Sequence, residues 1–126
     1  MRTLHGILID TVNNEARPIT INDSIENYYK ILNCNTIDIV ERKIKNRHFN
    51  IVCDDEGLFS NSPKISGITS DLKSILVGNL FITGGVDENG YLTSLSEEEE
   101  KDVLDNVVYV TSNQNPKPFV VVKISY

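Results

Sequence analysis

The residues of this chain that could ligate a soft metal are two cysteines, Cys34 and Cys53, and two histidines, His5 and His48, numerically enough for one tetrahedral zinc site. A site of that kind would draw on Cys34, His48 and Cys53. The spacing gives it little support, because His48 and Cys53 lie an odd number of residues apart on one expected strand and so face opposite sides unless a bulge intervenes. No Cys-x-x-Cys occurs. Cys53 reads as a core residue and Cys34 as a loop or helix-end residue, so no cofactor is predicted and zinc is the single metal option left open.

Nucleophilic and phosphate chemistry fare no better. Gly84-Gly85 follows an expected strand but has no lysine and no helix behind it, and Gly78 stands alone, so there is no glycine-rich phosphate loop. A cysteine-histidine nucleophile would depend on His5 or His48, and His5 sits inside the first expected strand, where a satisfied structural histidine is the simpler reading. Asp54-Asp55-Glu56-Gly57 resembles a calcium loop only in composition, since the alternating ligands and the distal glutamate are missing, and it reads as an acidic turn. No pair of carboxylates is marked out for acid and base work. The chain is not expected to be an enzyme.

Charge is the more informative signal. From Asp87 to Asp105 the chain holds eight acids, Asp87, Glu88, Glu97, Glu98, Glu99, Glu100, Asp102 and Asp105, against the single base Lys101, a net of -7; the remaining 107 residues hold ten acids and eleven bases, a net of +1. Closely spaced carboxylates of this kind either cap and solubilise a helix or stand in for nucleic-acid phosphates before the cationic groove of a DNA-handling protein. Affinity would then need an apolar anchor such as a tyrosine or phenylalanine. The opposite charge gathers at Arg42, Lys43, Lys45, Arg47 and His48, on the tip of an expected β-hairpin. That ribbon is either a solvated turn or a track for a phosphate backbone, with Phe49 the lone aromatic nearby and pointing to the core. The basic tip and the acidic segment read as two poles of a charge-segregated surface.

The elements that must position these residues follow from periodicity. Arg2 to Ile9 predicts a strand buried on both faces, and Arg17 to Ile21 an edge strand, because Pro18 lacks a backbone donor. Asp23 and Glu26 form a capping-box-like start to a helix over Ser24 to Leu32, with Ile25, Tyr28, Tyr29 and Leu32 at helical spacing. Ile37 to Leu58 is the hairpin: Phe49, Ile51 and Cys53 share one face of its second strand. Its first strand is less regular, with Ile37 and Ile39 on one face and Val40 and Ile44 on the other, which implies a bulge or burial on both sides. Ser60 to Ser74 predicts a long loop with a brief extended piece at Lys64 to Ile68. Ile75 to Thr83 predicts one central strand, and Asp87-Glu88-Asn89-Gly90 a tight turn. Ser94 or Ser96, with Glu97 or Glu99, caps a second helix in which Glu100, Val103, Leu104 and Val107 share a stripe. Val107 to Thr111 and Phe119 to Ser125 close the chain as a hairpin.

These elements make an α+β fold in a single domain over residues 1–126, with two helices, a C-terminal β-hairpin and a mainly antiparallel or mixed sheet of about six to seven strands. A hydrophobic content of 40% and a charged content of 24% are those of an ordinary globular protein. No apolar run approaches the length that crosses a bilayer and the first ten residues lack a cleavage signal, so a cytoplasmic location without membrane contact is expected.

The order of elements resembles a small family of uncharacterised domains carried by phages, conjugative elements and other mobile DNA of bacteria. The matching residues are the helix with Tyr29, Asp38-Ile39-Val40, Ile51-Val52-Cys53-Asp54-Asp55-Glu56-Gly57, Pro63, Val77-Gly78-Asn79-Leu80 and Leu95-Ser96-Glu97-Glu98. The resemblance covers about residues 24–106, and residues 107–126 form a C-terminal extension. It carries no catalytic residues, and its setting implies counter-defence: in size, acidity and lack of catalytic motifs the chain looks like an anti-CRISPR protein. The expected mechanism is stoichiometric binding, through the Asp87 to Asp105 patch, to a bacterial Cas effector of the Cas9 type in the host cytoplasm, blocking DNA engagement or a domain motion. The alternatives are a nucleic-acid-binding accessory protein that uses Arg42, Lys43, Lys45 and Arg47, and a small-ligand or nucleotide sponge.

Overall fold

The computed structural model describes residues 2–57, 64–71, 73, 75–111, 113 and 116–126. Of the expected loop from Ser60 to Ser74, residues 60–63, 72 and 74 lie outside these, as does Leu58 at the end of the opening hairpin.

Alternation dictates the first layer. Strand β1 (Thr3–Asp10) pairs along its whole length with β2 (Glu15–Asn22), and β7 (Leu80–Thr83), β4 (Arg47–Asp54) and β3 (Ile37–Ile44) complete a five-stranded antiparallel sheet in the order β2-β1-β7-β4-β3. Pro18 lies on β2, at an edge, as its missing donor requires. One face of the sheet turns Ile7, Ile9, Phe49, Ile51, Cys53, Leu80 and Ile82 inward; the other turns Leu4, Leu8, Val52 and Phe81. Both faces are therefore apolar and each needs a cover.

Helix α1 (Ile25–Leu32) covers the second face with Tyr28 and Leu32. Its N-cap is Ser24, whose hydroxyl accepts from the Asn27 amide, rather than Asp23, whose carboxylate instead accepts from the Tyr28 hydroxyl and faces Arg2. Burial, then the Asp23 carboxylate, pushes the Tyr28 hydroxyl above its ordinary pKa. The first face is covered by a second, four-stranded sheet in the order β6-β5-β9-β8, formed by β5 (Ile65–Thr69), β6 (Ile75–Val77), β8 (Val107–Val110) and β9 (Phe119–Ile124), together with helix α2 (Glu97–Asp105). Val120, Val122 and Ile124 of β9 and Val103 of α2 enter the main core, so the terminal hairpin is part of the one hydrophobic interior. The α+β class and the C-terminal hairpin stand as expected, while the described strands number nine and divide between two sheets.

That division corrects one expectation. Ile75 to Thr83 is not one central strand: Gly78, at φ +76°, turns the chain out of β6 and into β7, and its amide donates to the Lys64 carbonyl at 2.8 Å. Asn79 then locks the crossing, its Oδ1 accepting from the Thr11 amide at 2.9 Å and hydroxyl at 2.8 Å while its Nδ2 donates to the Ile31 carbonyl at 3.1 Å. The β3–β4 register runs without a bulge. Ile37 packs on the α1 side and Val40 and Ile44 on the other, so the irregular pattern of β3 comes from burial on both sides of an edge strand.

The β1–β2 turn yields a pH prediction. Burial would raise the Asp10 carboxyl, but hydrogen bonds from Arg17, from the Asn13 side chain and from the Asn13 and Val12 amides pull it from 3.8 down to about 2. A depressed folded-state pKa stabilises the fold above the unfolded value, and that contribution disappears as pH falls through the folded value. Between about pH 4 and pH 2 the protein should lose roughly 2 kcal/mol from this one group. Urea titrations across that window should show the loss in wild type and a flatter profile in Asp10→Asn; equal slopes would refute it.

Candidate functional site

The acidic segment begins at a turn that its own side chain builds. The Asp87 carboxylate accepts from the Asn89 amide at 2.9 Å and the Tyr91 amide at 3.0 Å, and the Asp87 carbonyl accepts from Gly90, which takes φ +83°. Asp87 to Gly90 is the expected tight turn, but only Gly90 of the Asn-Gly pair adopts positive φ, and the Asp87 amide donates to the Tyr91 carbonyl at 2.9 Å, so the hairpin loop has three residues rather than two. Gly84, Gly85 and Thr93 tie its base through three hydrogen bonds. Arg2 fastens it to β1: the guanidinium lies 4.9 Å from the Tyr91 ring centre, donates to the Leu92 carbonyl, and stands 3.9 Å from Asp87.

Three residues further along β1, about 10 Å at strand rise, His5 fastens the start of α2. Its amide donates to the Ser94 hydroxyl, its carbonyl accepts from the Leu95 amide, and its ring contacts Thr20 at 2.9 Å and Glu100 at 3.5 Å. His5 is thus a structural histidine with both nitrogens occupied. Ser96, not Ser94, is the N-cap of α2, and with Glu99 it completes a capping box in both directions.

The two charge clusters are neighbours rather than opposite poles. The β3–β4 turn places Lys45 and Asn46 in the left-handed region, φ 53° and 65°, as a two-residue hairpin turn demands. This aims the cationic tip at α2: Arg47 Nε reaches Asp102 at 2.9 Å, its other arm reaches Glu98, and Lys45 reaches Asp102 at 3.4 Å. Asp102 is buried beside Val103, so removing its cations would leave a charge away from water, a cost of several kcal/mol for fully buried pairs and less here because Arg47 and Lys45 are wetter. Lys101 pairs with Asp105 at 2.8 Å, which lowers the carboxyl and raises the amine by hydrogen bonding and Coulomb attraction.

This arrangement sorts the expected residues. Glu98, Glu99, Glu100, Asp102 and Asp105 have internal duties, Asp87 builds its own turn, and among the described residues no partner faces Glu88 or Glu97. Of the hairpin cations, Arg47 and Lys45 are turned to α2. Arg42 donates to the Glu41 carbonyl and stacks 4.8 Å from the Tyr126 ring centre, and Lys43 exchanges backbone bonds with Ser125. A phosphate backbone would have to displace carboxylates from that tip. Leu104, placed on an apolar stripe by spacing, is exposed, and Val103 alone of α2 enters the core.

Cys34, His48 and Cys53 do not converge. Cys53 lies in the core with its thiol on the Asp38 carbonyl, while His48 meets Glu41 at 3.0 Å on the exposed face. Burial first, and then the nearby Asp38 carboxylate, push the Cys53 thiol up to about 11, away from the thiolate a metal needs. Among the described residues no group of three histidine, cysteine or carboxylate side chains is placed to hold a metal ion. Sequence reasoning passed over Val86 and Tyr91, which are 59% and 52% exposed on the Asp87 loop, and Arg2, which holds that loop. Two large apolar side chains flanking a turn motif were the available sign.

Among the described residues no helix is long and apolar enough to cross a membrane. No curated protein and no solved structure matches the chain. Residues 1–108 match the family described as Domain of unknown function (DUF3846), and the chain belongs to that family.

Proposed function

We propose that this chain is a non-catalytic, protein-binding domain of a mobile element that acts in counter-defence, docking in the cytoplasm on a Cas effector of the Cas9 type and obstructing its engagement of DNA. One observation carries the reading: a pre-tied loop presents Val86 and Tyr91 outward beside Asp87 and Glu88, and the chain continues directly to Glu97 at the open end of α2. An exposed tyrosine with a charged rim is the composition of a binding hot spot, with Val86 adding apolar contact area, and a loop already held by Arg2 and Thr93 loses little entropy on docking. The rim is anionic, which suits a groove that otherwise holds nucleic-acid phosphates and accelerates encounter with it.

The binding element is therefore narrower than the whole acidic segment. Glu88, Glu97 and Tyr91 are the residues to test, because none holds the core. A Cas9-type nuclease mixed with a molar excess of this protein should co-elute with it and cleave target DNA more slowly. Tyr91→Ala should weaken the complex by ~2 kcal/mol, about thirtyfold, and Glu88→Gln with Glu97→Gln should slow association most at low salt. Normal cleavage with no co-elution removes the proposal for that effector.

A further inference from the structure

We propose that the outer edge of β8 is a self-association site at which a second copy of this chain adds its own β8 in antiparallel pairing. The four sheet edges are β2, β3, β6 and β8, and an open edge is a template for another strand unless something blocks it. Three are blocked. The bond from the Asp23 amide to the Arg2 carbonyl sets the β1–β2 pattern so that Ala16, Pro18, Thr20 and Asn22 direct their backbones outward; Pro18 has no donor there, and the Asn22 carbonyl is taken by the Ser24 amide and the Asn27 side chain. On β3 the outward groups are those of Ile37, Ile39, Glu41 and Lys43. Lys43 exchanges both its bonds with Ser125, the Glu41 carbonyl accepts from Arg42, and the Ile39 amide donates to the Asp38 side chain. Strand β6 is three residues long.

Strand β8, one residue longer than β6, carries no proline and, among the described residues, no side-chain or backbone cap on its outer edge. The Lys123 amide donates to the Asn106 carbonyl at 2.9 Å, so Val108 and Val110 bond to β9 while the backbones of Val107 and Tyr109 point to the open side. No described residue takes those groups. The strand reads Val-Val-Tyr-Val, and Tyr109 is 56% exposed.

A second copy is the occupant that the charge layout favours. A chain of net charge -6 repels itself over most of its surface, yet from Asn106 to Pro116 it carries no charged residue. A two-fold axis through Tyr109 pairs Tyr109 with Tyr109 of the second copy and Val107 with Thr111, placing no like charges opposite one another and two phenol rings side by side. The β8 strands then join two four-stranded sheets into one continuous sheet.

Sedimentation equilibrium over a rising concentration series tests this. The wild type should pass from monomer to dimer. Tyr109→Pro removes an outward amide without deleting a β8–β9 bond, and Tyr109→Lys sets two like charges opposite each other at an exposed position; both should remain monomeric over the same range while keeping the wild-type circular dichroism. If Tyr109→Pro does not fold, Tyr109→Lys decides. A wild type that stays monomeric throughout, or a folded Tyr109→Lys that dimerises as the wild type does, overturns the proposal.

Discussion

Gly6→Ala is expected to destabilise the protein by ~3 kcal/mol or more, because the added methyl has nowhere to go. A Cβ at this position would sit 2.8 and 2.9 Å from two carbons of the Phe81 ring and closer still to the Ile82 carbonyl oxygen. Phe81 is fully buried and Ile82 belongs to β7, the central strand, so neither neighbour can yield cheaply. Gly85→Ala is the matched control. A Cβ there meets nothing within 4 Å and its φ is not positive, so the change should be neutral or slightly stabilising. Thermal melts should separate the two variants by roughly 10 °C. Phe81→Leu added to Gly6→Ala should restore only part of the loss, since the Ile82 carbonyl remains. Full recovery in the double variant would show that the ring alone sets the constraint.

The Gly6 constraint reaches the proposed binding face through β1. Arg2 holds the Asp87 loop and His5 holds the start of α2, so a displaced β1 carries both with it. Gly6→Ala should therefore weaken the proposed partner binding as well as the fold, whereas Glu88→Gln with Glu97→Gln, at side chains that no described residue engages, should weaken binding alone. This contrast separates a residue that touches a partner from one that only positions the surface.

The legible parts of this fold are those whose physics is local. The Ser96 and Glu99 capping box, the Pro18 edge and the β3–β4 hairpin each arise from residues within a few positions of one another. The charged seam was not legible, because Arg47 and Glu98 are 51 positions apart and charge counts along a chain do not say which clusters will meet. The sign of each cluster was correct; their separation was not. The two-sheet division was hidden for a different reason. An apolar run has the same pattern whether it stays in one sheet or crosses between two, and the local marks of the crossing are Gly78 and the amide of Asn79. The same limit applies to Val86 and Tyr91, whose exposure depends on where the Asp87 turn is tied down.

Asn79→Ala should cost ~3 kcal/mol, which places it beside Gly6→Ala as the most damaging single changes expected. Its amide serves three elements at once: the Thr11 amide and hydroxyl after β1, and the Ile31 carbonyl near the end of α1. Thr11 and Asn79 are both buried, so the truncated variant leaves donors and an acceptor without partners, each costing about 1 to 3 kcal/mol before relaxation. Thr11→Val removes one of these bonds and should cost only ~1 kcal/mol. Chemical denaturation should rank the variants in that order, and a Thr11→Val loss equal to that of Asn79→Ala would show that the hydroxyl, not the shared amide, holds the crossing. Val77-Gly78-Asn79-Leu80 is among the runs that carry the family resemblance, and its work here is structural. The turn at Gly78 and the amide of Asn79 permit one apolar segment to serve two sheets. This scaffold work is separate from the proposed binding role, whose contacts are to be sought at the exposed Tyr91 and at Glu88 and Glu97, which no described residue engages.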